Sequence, residues 1–171
     1  AIDWLGSGWT KTNIDNGIYF YNGTGYSSFV NGVGVNGGTQ YIPAGQGFFV
    51  HGYASGPRLT IPRASAVHSS QQYYKETEAS ENILRLTLSG NGFIDETAIR
   101  FANEASSSFD TDFDAYKLMS LNVEVGQIFS KSDADYSINT LPELASEVEV
   151  PVSVFIGVDG EYTIDATDLG T

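Results

Sequence analysis

The clearest pattern in the chain is a strict alternation of side chains near its C-terminal end. Every even position in residues 148–158 is Val or Ile, while the odd positions are mostly polar or small. A period of two places the even side chains on one face, so the pattern predicts a β-strand with one buried face. Asp159-Gly160 follows, and Asp-Gly favours tight hairpin turns. We therefore predict a long β-hairpin between residues 148–158 and 161–166.

Shorter alternating or aromatic segments, separated by turn residues, recur along the rest of the chain. Residues 17–21 and 26–30 flank the sequence Asn-Gly-Thr-Gly at positions 22–25, which predicts a hairpin with a four-residue loop. Residues 83–88 and 98–101 form a second pair of predicted strands. If these two strands pair, Arg85 and Arg100 lie on an outer face, and the side chains predicted to enter the core are Leu86, Ile99 and Phe101.

Many short strands at this spacing predict an all-β fold, an antiparallel β-sandwich or jelly-roll-like arrangement of one or two packed units. A polar stretch without sustained periodicity divides the chain. We predict a β unit rich in Gly and aromatic residues over residues 1–69, a connecting segment over residues 70–82, and a β-sandwich unit that ends in a hairpin over residues 83–171.

Composition agrees with an all-β fold and limits the functional classes. Aromatic residues make up 13% of the 171 residues, and there are 19 glycines but only one methionine. No apolar run approaches the roughly 20 residues that span a membrane, so membrane insertion is not expected. The chain has no cysteine, which excludes disulfides and thiolate metal sites. It begins at Ala1 without Met, which suggests a mature fragment of a larger protein.

The charge is strongly negative. There are 21 acidic and 8 basic residues, and the net charge is -13. Such a surface repels a phosphate backbone, so nucleic acid is excluded as a partner. Two interpretations stay open: the acidity keeps an extracellular protein soluble, or some carboxylates hold Ca²⁺.

Signatures of catalysis are weak. Residues 32–37 match the glycine fingerprint of dinucleotide-binding folds, but residues 38–43 do not suit the helix that must follow. A serine hydrolase would need a histidine base, and His51 and His68 both fit structural or surface roles better. A glycosidase needs only two carboxylates, which Asp95-Glu96 and other acidic residues could supply, but nothing in the sequence singles out a pair. No catalytic residues are assigned, and the chain is not predicted to be an enzyme.

The best candidate for a metal site is the acidic segment 110–114. Carboxylates alternate there at Asp110, Asp112 and Asp114, a spacing that can direct oxygens at one Ca²⁺ ion, as at the start of an EF-hand loop. Ala115 stands where the EF-hand pattern needs Gly, and no Glu closes the loop. A solvated acidic loop is the competing interpretation. Calcium is the one cofactor that the sequence suggests.

Aromatic side chains concentrate in the first half, and they are the candidate ligand-binding residues. Flat rings on an exposed β-face can stack on the pyranose rings of glycans, whereas aromatic residues in strands also serve as core and cross-strand contacts. The sequence does not show which of the rings are exposed. The candidates are Trp4, Trp9, Tyr19, Tyr21 and Tyr26.

Five short segments together resemble the β-rich modules of secreted and surface proteins of Bacteroidetes, which precede a C-terminal type IX secretion sorting domain. They are residues 1–4, 42–50, 86–92 with 95–96, 114–118 and 137–142. The resemblance implies export across the outer membrane, residence outside the cell or at its surface, and no catalytic residues to transfer. The Asn-Pro-Tyr-Pro stretch that usually precedes such modules is absent from this sequence.

These observations predict a non-catalytic structural or adhesive module of a secreted or cell-surface multidomain protein. Its expected partners are the neighbouring domains of that protein. One alternative is a carbohydrate-binding module that uses the exposed aromatics. Another is a fibre or assembly subunit that neighbouring copies complete by strand addition.

Overall fold

The computed structural model describes residues 1–68 and 82–169, and within them the fold is all-β, as predicted. One single-turn 3₁₀ helix, Arg63–Ser65, interrupts the strands. Residues 69–81, which hold nearly all of the predicted connecting segment 70–82, lie outside the described part. The strands are β1 (Ile2–Asp3), β2 (Thr10–Thr12), β3 (Ile14–Tyr21), β4 (Tyr26–Val30), β5 (Val33–Val35), β6 (Tyr41–Ile42), β7 (Phe49–Gly52), β8 (Arg58–Thr60), β9 (Ile83–Gly90), β10 (Phe93–Ala102), β11 (Ala115–Tyr116), β12 (Gln127–Lys131), β13 (Asp135–Pro142), β14 (Val152–Phe155) and β15 (Tyr162–Leu169).

The strands form two larger sheets and two small ones. The first half of the chain contributes a four-stranded antiparallel sheet in the order β5-β4-β3-β7 and two strand pairs, β1-β6 and β2-β8. The second half forms a seven-stranded sheet in the order β14-β12-β13-β10-β9-β15, with β11 also pairing β13. One neighbour pair, β10 and β13, is parallel. The arrangement is β-sandwich-like, and the predicted all-β class is confirmed.

Asn-Gly turns close the hairpins of both larger sheets. Two residues link β4 to β5, and both have positive φ, Asn31 at 44° and Gly32 at 85°. Asn91 at 51° and Gly92 at 80° link β9 to β10 in the same way. Positive φ at both central positions is the type I′ turn, whose twist matches that of the flanking strands. The predicted four-residue loop 22–25 is also present, because β3 ends at Tyr21 and β4 begins at Tyr26.

One hydrophobic cluster draws on both halves of the chain. Its members from the first half are Tyr19, Val30, Val33 and Val35, and those from the second half are Ile83, Ala98, Ala115 and Ile138. A second cluster lies on the other side of the four-stranded sheet and consists of Trp4, Ile18, Phe20, Phe29 and Ile42. Alternation along β3 sends Tyr19 to the first cluster and Ile18 and Phe20 to the second. The four-stranded sheet is therefore the middle layer of the structure.

The outer face predicted for Arg85 and Arg100 is in fact turned towards the first half of the chain. The register of β9 and β10 places Arg85 opposite Ala98 and Arg100 opposite Ile83, so the two arginines share a face as predicted. That face also carries Ile83 and Ala98 of the shared cluster. Arg85 donates to the carbonyl oxygen of Gly34 at 2.6 Å, and Arg100 donates to that of Asn31 at 3.0 Å. On the opposite face Ile99 is buried, while Leu86 and Phe101 are half-buried.

The predicted C-terminal hairpin is wrong. β14 pairs with β12, and β15 pairs with β9, so the two segments lie at opposite ends of the strand order. Val152 and Val154, expected to be buried, are 38% and 46% exposed. Of the predicted strand over residues 148–158, only β14 forms, and long-range pairing with β12 and β9 replaced the local pairing that Asp159-Gly160 suggested.

Candidate functional site

An open cavity of about 510 Å³ lies at one end of the four-stranded sheet. It brings together three residues that the sequence nominated separately, namely Trp4 and Trp9 as ligand-binding aromatics and Asp112 as a metal ligand. Lys11 from β2, Asn16 from β3 and Asn31 from the β4–β5 turn add further polar side chains to its wall. The cavity is therefore built from both halves of the chain.

The two indole rings form one side of the cavity. Trp4 is buried, and its Nε1 donates to the carbonyl oxygen of Asn16 at 2.8 Å. Trp9 is half-buried, and its Nε1 donates to the carbonyl oxygen of Asp3 at 2.9 Å. The ring centroids are 4.8 Å apart at an interplanar angle of 62°, an edge-to-face contact. Both N–H groups have protein acceptors, so the half-buried Trp9 offers a ligand the apolar surface of its ring rather than a donor, while the buried Trp4 supports that ring.

A chain of hydrogen-bonded polar groups runs beside the indoles. Lys11 Nζ lies 3.7 Å from the centre of the Trp4 ring and donates to Asn16 Oδ1 at 2.8 Å. Asn16 Nδ2 in turn donates to Asp112 Oδ1 at 2.6 Å. Burial lowers the pKa of Lys11 to about 8, and the negative charge of Asp112 opposes this shift. The chain fixes an amine, an amide and a carboxylate along one wall of the cavity.

The three candidate tyrosines lie away from this cavity. Tyr19 is buried in the shared cluster, where its Oη accepts a hydrogen bond from the backbone N–H of Tyr116 at 2.9 Å. Tyr21 and Tyr26 face each other across the β3–β4 pair, with centroids 5.6 Å apart and planes at 64°. Tyr26 meets Phe49 at a similarly steep 74°. These rings pack edge to face, so they do not form a flat platform.

In the acidic segment 110–114, the Asp114 carboxyl group is occupied by backbone hydrogen bonds. Asp114 is buried, and its Oδ1 accepts from the backbone N–H of Thr140 at 2.7 Å while Oδ2 accepts from that of Asp110 at 2.8 Å. Asp112 is exposed and points to Asn16. In the described residues, no group of three His, Cys, Asp or Glu side chains is arranged to hold a metal ion. The calcium site at Asp110, Asp112 and Asp114 stays a prediction.

A second polar cluster joins β3 to β7. The buried Asp15 lies 2.8 Å from Nδ1 of His51, whose side chain is half-exposed. Burial raises the pKa of Asp15, and the hydrogen bond and charge of His51 counteract this. The arrangement matches two members of a hydrolase triad, but within residues 1–68 and 82–169 no side-chain hydroxyl is hydrogen-bonded to His51. The pair alone does not form a nucleophilic site.

Sequence reasoning missed Lys11 and Asn16. Lys11 occupies a short polar strand, and Asn16 precedes a glycine in β3, so neither position has a local pattern that indicates a site. The hydrogen bond between Asn16 and Asp112, which brings both residues into the cavity wall, joins residues 96 positions apart. A single sequence carries no signal for such a pairing, whereas tryptophan is conspicuous from composition alone.

Comparison with known proteins returned no match to a family model, to a curated protein or to a solved structure. The resemblance to surface modules of Bacteroidetes receives no support from these comparisons and stays a hypothesis. Within the part of the chain that the structure covers, no helix has the length and apolar character needed to cross a membrane.

Proposed function

We propose that this protein is a non-catalytic adhesive module of a larger secreted or cell-surface protein. We further propose that it adheres by binding a saccharide in the open cavity lined by Trp9, Lys11 and Asp112. The observation that carries the proposal is the combination, in one open cavity, of indole surface with the polar chain Lys11–Asn16–Asp112. The neighbouring domains of the parent protein are its structural partners.

This combination of groups suits a sugar better than other small ligands. A pyranose ring has an apolar face of C–H groups and a rim of hydroxyls that both donate and accept hydrogen bonds. Trp9 offers ring surface to the first, while the Lys11 amine and the Asp112 carboxylate offer donors and an acceptor to the second. Asp112 and the net charge of -13 disfavour phosphate and other anions.

Removing either end of the polar chain should weaken sugar binding without unfolding the protein. We expect Asp112→Ala and Lys11→Gln each to weaken binding by about tenfold to a hundredfold, since each removes a hydrogen bond to a charged group worth about 1.5–3 kcal/mol. A glycan array first identifies a binding saccharide, and titration calorimetry with that saccharide then gives Kd for each variant.

Glu124→Ala is the matched control for this experiment. Glu124 is exposed and does not line the cavity, so its removal changes the net charge as Asp112→Ala does but leaves the site intact. Equal affinity of the Asp112 and Glu124 variants for the saccharide would contradict the proposed site. An array without any binding saccharide would contradict the proposed function.

Assembly of several copies by strand addition is a second candidate function. It is favoured by the position of β14 at the edge of the seven-stranded sheet. Among the described strands β14 pairs only with β12, and its exposed side chains include Val152, Val154 and Phe155. An edge strand with exposed apolar side chains is a template for pairing with another chain. Two copies pairing along β14 would cover both the unpaired backbone groups and these side chains.

A charge on β14 should disrupt such an assembly. We expect the wild-type protein to form oligomers as its concentration rises in sedimentation velocity experiments, and Val154→Lys to stay monomeric, because an edge lysine opposes strand pairing. Ile94→Lys, at an exposed position of β10, is the control and should still associate. A wild-type protein that is monomeric at every concentration would refute strand addition between copies.

A further inference from the structure

Two oppositely charged side chains are buried against each other inside the seven-stranded sheet. Asp95 lies on β10, and Lys117 directly follows β11. Lys117 Nζ donates directly to Asp95 Oδ2, and the two side chains are only 3% and 8% exposed. A buried ion pair is costly to desolvate, and the cavity proposed for saccharide binding does not include it. The pair therefore calls for a separate explanation.

The surroundings hold the Asp95 carboxyl group at both oxygens. Asn36 Nδ2 donates to Oδ1 at 2.8 Å, and the backbone N–H of Ile128 on β12 donates to Oδ2 at 2.7 Å. Three donors from three separate parts of the chain thus orient one carboxyl group with its Cγ next to an amine. Burial lowers the pKa of Lys117, while the charge of Asp95 opposes this shift. A lysine amine in a water-poor site is a better nucleophile than an exposed one.

We propose that Lys117 and Asp95 condense into an intramolecular amide bond that covalently links β10 to the segment after β11. The bond goes beyond the proposed function and does not depend on saccharide binding. In a chain without cysteine, it would supply a cross-link that does not respond to reducing agents.

The condensation balances without any other reactant. In the ion pair Nζ carries three protons, and transfer of one to Oδ2 gives a neutral amine and a carboxylic acid. The Nζ lone pair then attacks Cγ, a second proton passes from Nζ to Oδ2, and the Cγ–Oδ2 bond breaks. The products are an amide, which keeps Oδ1 and the last Nζ proton, and one water molecule. Nothing is oxidised or reduced.

Each neighbour of the pair has a defined part in this step. The side-chain amide Nδ2 of Asn36 donates to Oδ1, where negative charge develops as Nζ attacks, so it acts as an oxyanion donor. The N–H of Ile128 faces Oδ2, the atom that leaves as water, and keeps it oriented. The fold supplies proximity, which can replace a large effective concentration of reactant. Exclusion of solvent favours release of water from the acid and protects the amide from hydrolysis.

The test is the mass of the intact chain. The folded protein is incubated until its mass stops changing, then denatured and measured by mass spectrometry. We expect a mass one water molecule below that of the sequence, and a protease digest that contains a branched peptide joining Lys117 to Asp95. Lys117→Arg keeps the positive charge but has no nucleophilic amine, so it should show the full mass.

The chain carries its own controls. Lys131 and Asp135 form an ion pair of 2.8 Å that is largely exposed, and they should appear as unlinked peptides in the same digest. An Asp-Gly sequence such as Asp159-Gly160 can lose water by forming a succinimide, which the digest distinguishes by its position. A full mass in the wild-type protein, or a water loss that maps to residues 159–160, would overturn the proposal. The wild-type measurement decides the question even if Lys117→Arg fails to fold.

Discussion

Ile138→Ala should destabilise both halves of the chain by about 2–5 kcal/mol, the usual range for truncating a buried Ile to Ala. Ile138 is fully buried on β13, in the cluster that also contains Val30, Val33 and Val35 of the first half. The cavity left by the substitution therefore removes contacts from two sheets at once. We expect the two sheets to unfold in a single transition, because neither keeps its buried face when the other unfolds.

The positions of the tryptophans make this expectation easy to test. The chain has two tryptophans, Trp4 and Trp9, and both lie in the first half, far in sequence from Ile138. Urea unfolding followed by tryptophan fluorescence should therefore show a lower midpoint for Ile138→Ala, coincident with the midpoint from circular dichroism. Ile94→Ala, at a site 68% exposed in the same seven-stranded sheet, should leave the midpoint almost unchanged. An unchanged fluorescence midpoint for Ile138→Ala would mean that the halves unfold independently.

Local patterns in the sequence predicted local structure well. The alternation in residues 83–88 and the turn residues at 22–25 correspond to β9 and to the β3–β4 loop. Strand periodicity and turn chemistry depend on neighbours within a few residues, so a single sequence carries them. The all-β class follows from the number of such segments.

Pairing between distant strands was beyond the reach of these patterns. The parallel pairing of β10 with β13 and the placement of β14 and β15 at opposite ends of the sheet depend on contacts between remote segments. Alternation along residues 148–158 indicated a strand, but only β14 forms within this range, it pairs with a different partner, and its side chains expected to be buried are exposed. Arg85 and Arg100 show the same limit, since their bonds to Gly34 and Asn31 turn a predicted outer face into an interface.

The candidate site was predictable only in part, for the same reason. Trp4, Trp9 and Asp112 could be nominated from residue type and spacing. That they line one cavity depends on the packing of loop 110–114 against the start of β3, where the backbone N–H of Asn16 donates to the carbonyl oxygen of Thr111 at 2.8 Å. Lys11 and Asn16 acquire their roles from that contact.

Asp114→Ala should be among the most damaging single substitutions in a polar position. The Asp114 carboxylate accepts backbone hydrogen bonds from Thr140 on β13 and from Asp110 in its own loop. Removing it leaves two N–H groups without an acceptor, and each buried group left unsatisfied costs about 1–3 kcal/mol. Urea unfolding at pH 4, where the folded protein still holds the proton on Asp114, measures the loss. Leu121→Ala, at a position 88% exposed, is the control and should be close to neutral.

The same carboxyl group should make stability depend on pH. Burial and, to a smaller extent, the neighbouring charges of Asp110 and Asp133 raise the pKa of Asp114 from an ordinary value of 3.8 to about 7, against the two backbone hydrogen bonds. The folded chain therefore holds a proton that the unfolded chain has lost between these two values. The contribution of Asp114 to the free energy of unfolding is therefore fully present below about pH 4 and is lost as the pH rises through about 7.

Asp114→Asn separates this effect from the loss of the side chain. Asn cannot titrate, so the variant should lack the part of the pH dependence that Asp114 contributes. The free energy of unfolding of the wild-type protein, relative to that of Asp114→Asn, should fall as the pH is raised from 4 to 8. Asp15, whose pKa burial also raises, is present in both proteins, so its contribution cancels in the difference. A difference that stays constant over this range would mean that Asp114 is ionised in the folded state throughout, and that its two backbone hydrogen bonds outweigh the cost of burying its charge.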